Sequence, residues 1–197
     1  MLLRTDDVLS PTDNLKRFLE ITEDVPILLA TIPKLYVKEV VDLIAKYDNA
    51  TVVQHGYDHR NRAPEGEKKS EFPSSRDVDE SIIDIKKGKE ILEKDFGDQF
   101  YPVFVPPWNR FGLGYSFNKQ VLSELGFIGI EDDEGTLDMQ PKKGWITMEK
   151  FWRKVQTDDT IDSLMFHHEW MTDEQFKFLE QLIESGVISW KSIRESS

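Results

Sequence analysis

The chain has 197 residues, with 25 Lys and Arg against 37 Asp and Glu, for a net charge of −12. That balance excludes the basic face of a phosphate-tracking nucleic-acid binder, and no apolar run nears the ~20 residues needed to cross a bilayer. Cysteine is absent, which excludes disulfides, thiol catalysis and thiolate metal sites, so a transition metal must be held by carboxylates and the four histidines. In chain order, Leu2–Arg4 is a short strand-like run. Ser10-Pro11-Thr12-Asp13 predicts a helix start with Ser10 as N-cap, and the helix turns Leu15, Phe18 and Leu19 inward. Val25–Ala30 and Ala50–Gln54 predict buried strands, with a helix over Val37–Tyr47 between them. Residues 60–76 are polar, carry Pro64, Gly66 and Pro73, and predict a long loop of the kind that often serves a site.

Asp77-x-x-Glu80 opens the next helix, which carries Ile82, Ile83, Ile85, Ile91 and Leu92. Beyond it, strands are expected at Tyr101–Val105, Phe127–Ile130, Gly144–Phe151, Ser163–Phe166 and Val187–Trp190. Helices are expected at Phe117–Leu125 and after the capping box Thr172-x-x-Gln175. Strand–helix alternation of this kind implies a mostly parallel sheet with helical crossovers, for which an α/β barrel is the common closed form. The length suits a single domain over residues 1–197. Met1–Asp7 has no apolar leader segment, so the expected location is cytoplasmic.

In parallel α/β folds the chemistry gathers at the C-terminal strand ends. Here those ends carry Thr5-Asp6-Asp7, His55-Gly56-Tyr57-Asp58-His59, Pro106-Pro107-Trp108-Asn109-Arg110 and His167-His168-Glu169-Trp170. All four histidines of the chain fall at these points. Two imidazoles spaced as His55 and His59 can face one ion, and Asp7 would complete a set of two His and one carboxylate with open positions for water and substrate. Neighbours in an extended strand point to opposite sides, so Asp6 and Asp7 cannot share one job. Asp6 is then the candidate general base, and an imidazole of His167-His168 the candidate acid toward a leaving nitrogen or oxygen. The chemistry is metal-assisted hydrolysis of an amide or ester.

These segments resemble the motifs of the NodB-homology polysaccharide deacetylases, carbohydrate esterase family four. Arg4-Thr5-Asp6-Asp7 resembles their Thr-Phe-Asp-Asp, and His55-Gly56-Tyr57-Asp58-His59 resembles His-Ser/Thr-x-x-His with Gly in the Ser/Thr place. Val105-Pro106-Pro107-Trp108 keeps the Pro and aromatic of a third motif but lacks its Arg, for which Arg4, Arg62 and Arg110 are candidate substitutes. Phe166-His167-His168-Glu169 resembles the last motif, with His168 as acid and Glu169 in an Asp place. Asp132 and Asp133 are weak counterparts of a fourth, Asp-bearing motif.

The resemblance implies a distorted (β/α) barrel of seven or eight strands. It implies metal ligands Asp7, His55 and His59, base Asp6, acid His168, and substrate contacts from Trp108, Pro107, Arg110 and His167, with the Trp108 amide as an oxyanion donor. It further implies a divalent ion, zinc first and cobalt, nickel or iron(II) as alternatives, and an acetylated sugar or polysaccharide precursor as substrate. Hydrolysis of a non-sugar amide and a non-catalytic carbohydrate-binding role are the other readings.

Overall fold

The computed structural model describes residues 1–112, 115–130, 135–140 and 144–195. Asp132 and Asp133 therefore lie outside the described residues. Seven strands form one sheet: β1 (Leu2–Val8), β2 (Ile27–Thr31), β3 (Ala50–His55), β4 (Phe100–Val105), β5 (Gly129–Ile130), β6 (Thr136–Asp138) and β7 (Ser163–Phe166). Their order is β5-β4-β3-β2-β1-β7-β6, and every pairing is parallel. This is the cyclic order of a (β/α) barrel, opened among the described residues between β5 and β6. It agrees with the expected distorted barrel of seven or eight strands.

Among the described residues, six α-helices accompany the strands: α1 (Asp13–Ile21), α2 (Glu39–Ile44), α3 (Val78–Phe96), α4 (Tyr115–Glu124), α5 (Met148–Thr157) and α6 (Asp173–Glu184). Several starts follow from capping chemistry. Asp77 accepts from the Glu80 amide at 3.0 Å, and Thr172 with Gln175 forms the expected capping box on α6. The cap of α1 is Thr12 rather than Ser10, and Pro11 lies outside the helix. The interval Gly144–Phe151 is not a strand. Thr147 caps α5, and Phe151 is buried on that helix. Val187–Trp190 forms no strand either, although Ile188 is buried.

The sheet has two unlike faces, because neighbouring strand residues alternate in direction. One face packs on the helices. Leu3, Ile27, Leu29, Val52, Leu164 and Phe166 share a core there with Leu15, Phe18 and Leu19 of α1. The other face is concave and holds a small apolar cluster of Leu28, Ala30, Val53, Val103 and Val105. Arg4 is in register with Leu28 on one side and Met165 on the other, so it belongs to this concave face. The apolar cluster closes the interior, and the polar strand ends stand above it.

Candidate functional site

A cavity of about 440 Å³ opens at those strand ends. Residues of four strand ends line it: Asp6 and Asp7 from β1, His55 and His59 from β3 and the turn after it, Trp108, Asn109 and Arg110 after β4, and Met165 of β7 with His167 just beyond it. Asp138 and Gln140, from the end of β6, line it as well. Sequence reading missed these two because a strand as short as Thr136-Leu137-Asp138 gives no readable alternation.

Adjacent Asp6 and Asp7 both reach the cavity, against the expectation from strand alternation. The pairing of β1 with β2 shifts register between Thr5 and Val8, and Asp7 has φ 61°. A bulge turns the second carboxylate back toward the site. Among the described residues, four non-glycine residues have positive φ: Asp7, His59, Trp108 and Asn109. All four line this cavity. Left-handed backbone costs of order 1–3 kcal/mol for such residues, so strain is gathered where the functional side chains converge.

Asp7 Oδ1 lies 3.5 Å from His55 Nε2 and 3.4 Å from His59 Nε2. That oxygen is buried without a hydrogen-bond partner. Ligand atoms each ~2.0–2.2 Å from a zinc ion stand about 3.3–3.5 Å apart at tetrahedral angles, so the spacing suits an ion better than direct contacts. The His55 ring donates from Nδ1 to the Val105 carbonyl at 3.0 Å, which leaves the Nε2 lone pair toward Asp7. The donor set Asp7, His55 and His59 thus fits a divalent ion by spacing, tautomer and chemistry.

The electrostatics of these three residues follow from burial and from one another. Burial opposes ionisation of Asp7, yet the imidazoles of His55, His59 and His167 hold its carboxyl well below the usual range. Burial likewise opposes a charged His55, but Asp7 and Asp6 outweigh it and keep its pKa raised. Burial, with His55 alongside, brings His59 down to about 4, so its ring is neutral and ready to ligate at neutral pH.

Asp6 makes a separate arrangement. Arg4 is fully buried, and its Nε lies 2.9 Å from Asp6 Oδ1 while Nη2 lies 3.5 Å from Oδ2. The same Nη2 reaches Asn109 Oδ1 at 3.4 Å. Of the three arginines considered as substitutes for the missing third-motif Arg, Arg4 is the one on Asp6. Arg62 grips Asp58 at 2.7 and 2.8 Å, and Arg110 sits at the rim, donating to the Lys69 carbonyl at 3.2 Å.

The two adjacent histidines part company. His168 is fully buried on the helix side of β7. Its Nδ1 lies 2.9 Å from Thr5 Oγ1, its Nε2 lies 3.1 Å from Glu169 Oε1, and its ring packs on Phe18. Burial lowers its pKa, though Glu169 and Asp7 oppose that. His167, not His168, faces the cavity, stacked on Trp170 at 4.8 Å and held by its amide to Gln140 at 2.8 Å. The expected acid His168 does not line the cavity. Pro107 is buried against Gly56 and does not line the cavity either. Trp108 and Arg110 do line it, with the Trp108 ring 4.3 Å from that of His59.

No family model matches the sequence, and neither does any curated protein. Solved structures do match. The Bc1960 peptidoglycan N-acetylglucosamine deacetylase superposes with a TM-score of 0.71 at 15% identity, over 98% of this chain and 86% of that one. The family 4 carbohydrate esterase from Streptomyces lividans gives 0.68 at 14%, over 98% and 92%. The fold is that of the family 4 carbohydrate esterases. A mutant of BA3943, a CE4 family pseudoenzyme, with restored enzymatic activity, gives 0.69 at 18%, over 98% of this chain and 66% of that one. Family 4 architecture thus occurs in pseudoenzymes too, and at these identities the likeness is one of fold. No helix among the described residues is long and apolar enough to cross a membrane.

Proposed function

We propose that the protein is a metal-dependent hydrolase that removes an acetyl group from an acetylated sugar, either a polysaccharide or its precursor. Its working unit is a single domain over residues 1–197, with Asp7, His55 and His59 as metal ligands. Zinc suits the donor set best among the divalent ions considered. The chemistry such an ion supplies is polarisation of a carbonyl and a lowered pKa for water.

The observation that carries the reading is the treatment of Asp6. It borders the donor set yet is not part of it, and a buried arginine holds it. A site that only bound metal and sugar would have no use for a second, separately oriented carboxylate. The Arg4 fork fixes the orientation of Asp6, which is left to accept a proton within the cavity. His167 supplies the complementary group. Its backbone is tethered to Gln140 and its ring lines the cavity beside Trp170, where it can protonate a leaving nitrogen. The Trp108 amide is the candidate donor to a developing oxyanion. Met165 lines the cavity beside Arg4 and gives an acetyl methyl an apolar wall. Trp108 and Trp170 offer faces on which a sugar ring can stack.

The test is acetate release from N-acetylated chitooligosaccharides and sugar nucleotides in the presence of Zn²⁺ or Co²⁺. Wild type should release acetate, Asp6→Asn should bind metal without releasing it, and His55→Ala should lose the metal. Acetate release by Asp6→Asn at the wild-type rate would sink the assignment. Metal binding without turnover of any amide would leave a carbohydrate-binding relative.

A further inference from the structure

The long loop 60–76 and the replacement of Ser/Thr by Gly56 have one common explanation. Glu71 lies in that loop and is fully buried. Its Oε1 accepts from the Tyr57 and Asp58 amides at 3.0 and 2.9 Å, and its Oε2 accepts from the His59 amide at 3.0 Å. Three successive N–H groups of the turn between the two histidines thus converge on one carboxylate. Such a concavity of successive amides ordinarily collects an acceptor from a ligand, and here the chain's own Glu71 carboxyl oxygens fill it. The fit also dictates residue 56. A Cβ on Gly56 would stand 2.2 Å from Glu71 Oε2 and 2.5 Å from Pro107 Cγ, and its φ of +58° suits glycine.

The loop is tied so as to bring Glu71 back to this place. The Arg62 amide bonds to the Ser70 carbonyl at 2.8 Å, and Asn61 Oδ1 accepts from the Ser70 amide at 3.0 Å. Phe72 follows at once in the aromatic cluster with Phe104 and Phe111. Farther out, Asp84 ties to Arg76 and stands 4.0 Å from Arg62 without touching the 57–59 turn.

Resting on the proposed metal reading, we infer that Glu71 is a positioning residue for the metal centre. It holds the left-handed turn at His59 so that His59 Nε2 converges with His55 and Asp7. Partners that orient ligands from behind commonly govern affinity by about 10- to 100-fold.

The test compares the zinc affinity of the full chain and its Co²⁺ visible spectrum in wild type, Glu71→Gln, Glu71→Ala and Asp84→Asn. Zinc affinity is read by competition with a chromophoric chelator. Glu71→Gln keeps a carbonyl for two amides but turns an NH₂ toward the third. It should weaken zinc about 10-fold, and Glu71→Ala up to about 100-fold, each with an altered Co²⁺ spectrum. Asp84→Asn should lower the melting temperature with affinity and spectrum unchanged. Glu71 variants that match wild type overturn the inference alone, as does an Asp84→Asn variant that weakens zinc as much as Glu71→Gln does. A wild type that binds no zinc overturns the metal reading and this inference with it. Hydrogen exchange on the wild type gives a readout independent of variant folding. The Tyr57, Asp58 and His59 amides should be protected, and exchange as fast as in open loops would overturn the inference.

Discussion

The concave and helix-facing sides of the sheet are made from the same strands, residue by residue, and yet have opposite fates. On β1, Arg4 and Asp6 turn inward while Leu3 and Thr5 turn toward the helices. On β7 and just beyond it, Met165 and His167 turn inward while Leu164, Phe166 and His168 turn outward. A single position along the chain therefore separates a residue available to substrate from one consumed by packing. The exception teaches as much. Asp7 should share the fate of Thr5, and only the bulge with its left-handed φ returns it to the concave side. Chemistry here depends on strand parity plus one local violation of it.

The contrast between the faces is sharpest at the two proposed proton-transfer groups, Asp6 and His167. Asp6→Asn should lower kcat by about 10²- to 10⁴-fold, and His167→Ala by a similar factor, with zinc still bound. His168→Ala should behave differently. It removes a buried ring hydrogen-bonded to Thr5, so the expected loss is stability, about 1–3 kcal/mol, with the folded fraction retaining turnover. Denaturant melts and initial rates on the three variants separate the two faces. A dead but stable His168→Ala beside an active His167→Ala would reverse the assignment.

Arg4→Met comes next in size and probes the concave face from below. It leaves the buried Asp6 carboxyl beside an apolar side chain with its partner gone. Breaking a buried pair from one side costs about 3–5 kcal/mol, because the remaining charge is uncompensated. The loss should appear in urea unfolding even without metal. Turnover should fall as well, since Asp6 loses both its charge partner and its orientation. A stable Arg4→Met with normal kcat would show that Asp6 is oriented by something other than the 2.9 Å contact.

Much of this was legible in the sequence. The alternation of elements gave the parallel architecture, and the polar residues after four strands pointed to one rim. The parity of β7 was harder to read, because Leu164, Met165 and Phe166 are all apolar, as befits a strand buried on both faces. With no alternation to show which side faces the cavity, residue types alone do not separate His167 from His168, and the motif resemblance favours His168. Had the inward register of His55 been carried across the sheet, Met165 and then His167 would have emerged as its companions. The expected opposite directions of Asp6 and Asp7 failed for another reason: alternation was the correct rule, but nothing in Thr5-Asp6-Asp7-Val8 announces a bulge. The Gly144–Phe151 interval misled because Trp145, Ile146 and Met148 look like strand residues, although Thr147 was already the cap of α5. Glu71 was hidden by its setting, since a carboxylate in a polar loop gives no hint that three amides wait for it elsewhere.

The smallest effect is expected at the rim, where Trp170 is 64% exposed and stacks on the His167 ring with an interplanar angle of 13°. Two roles follow from that geometry, and they predict different kinetics. If the ring chiefly offers a face to the sugar, Trp170→Ala should raise KM and spare kcat. If it chiefly orients His167, kcat should fall instead. The Gln140 tether already fixes the His167 backbone, so the first role should dominate. An aromatic stack is worth about 0.5–1.5 kcal/mol, so KM should rise about two- to tenfold for an oligosaccharide. Trp170→Phe should recover most of that loss. A kcat decrease as deep as that of His167→Ala, with KM unchanged, would instead make Trp170 the support of the acid, extending the concave face's machinery to its exposed rim.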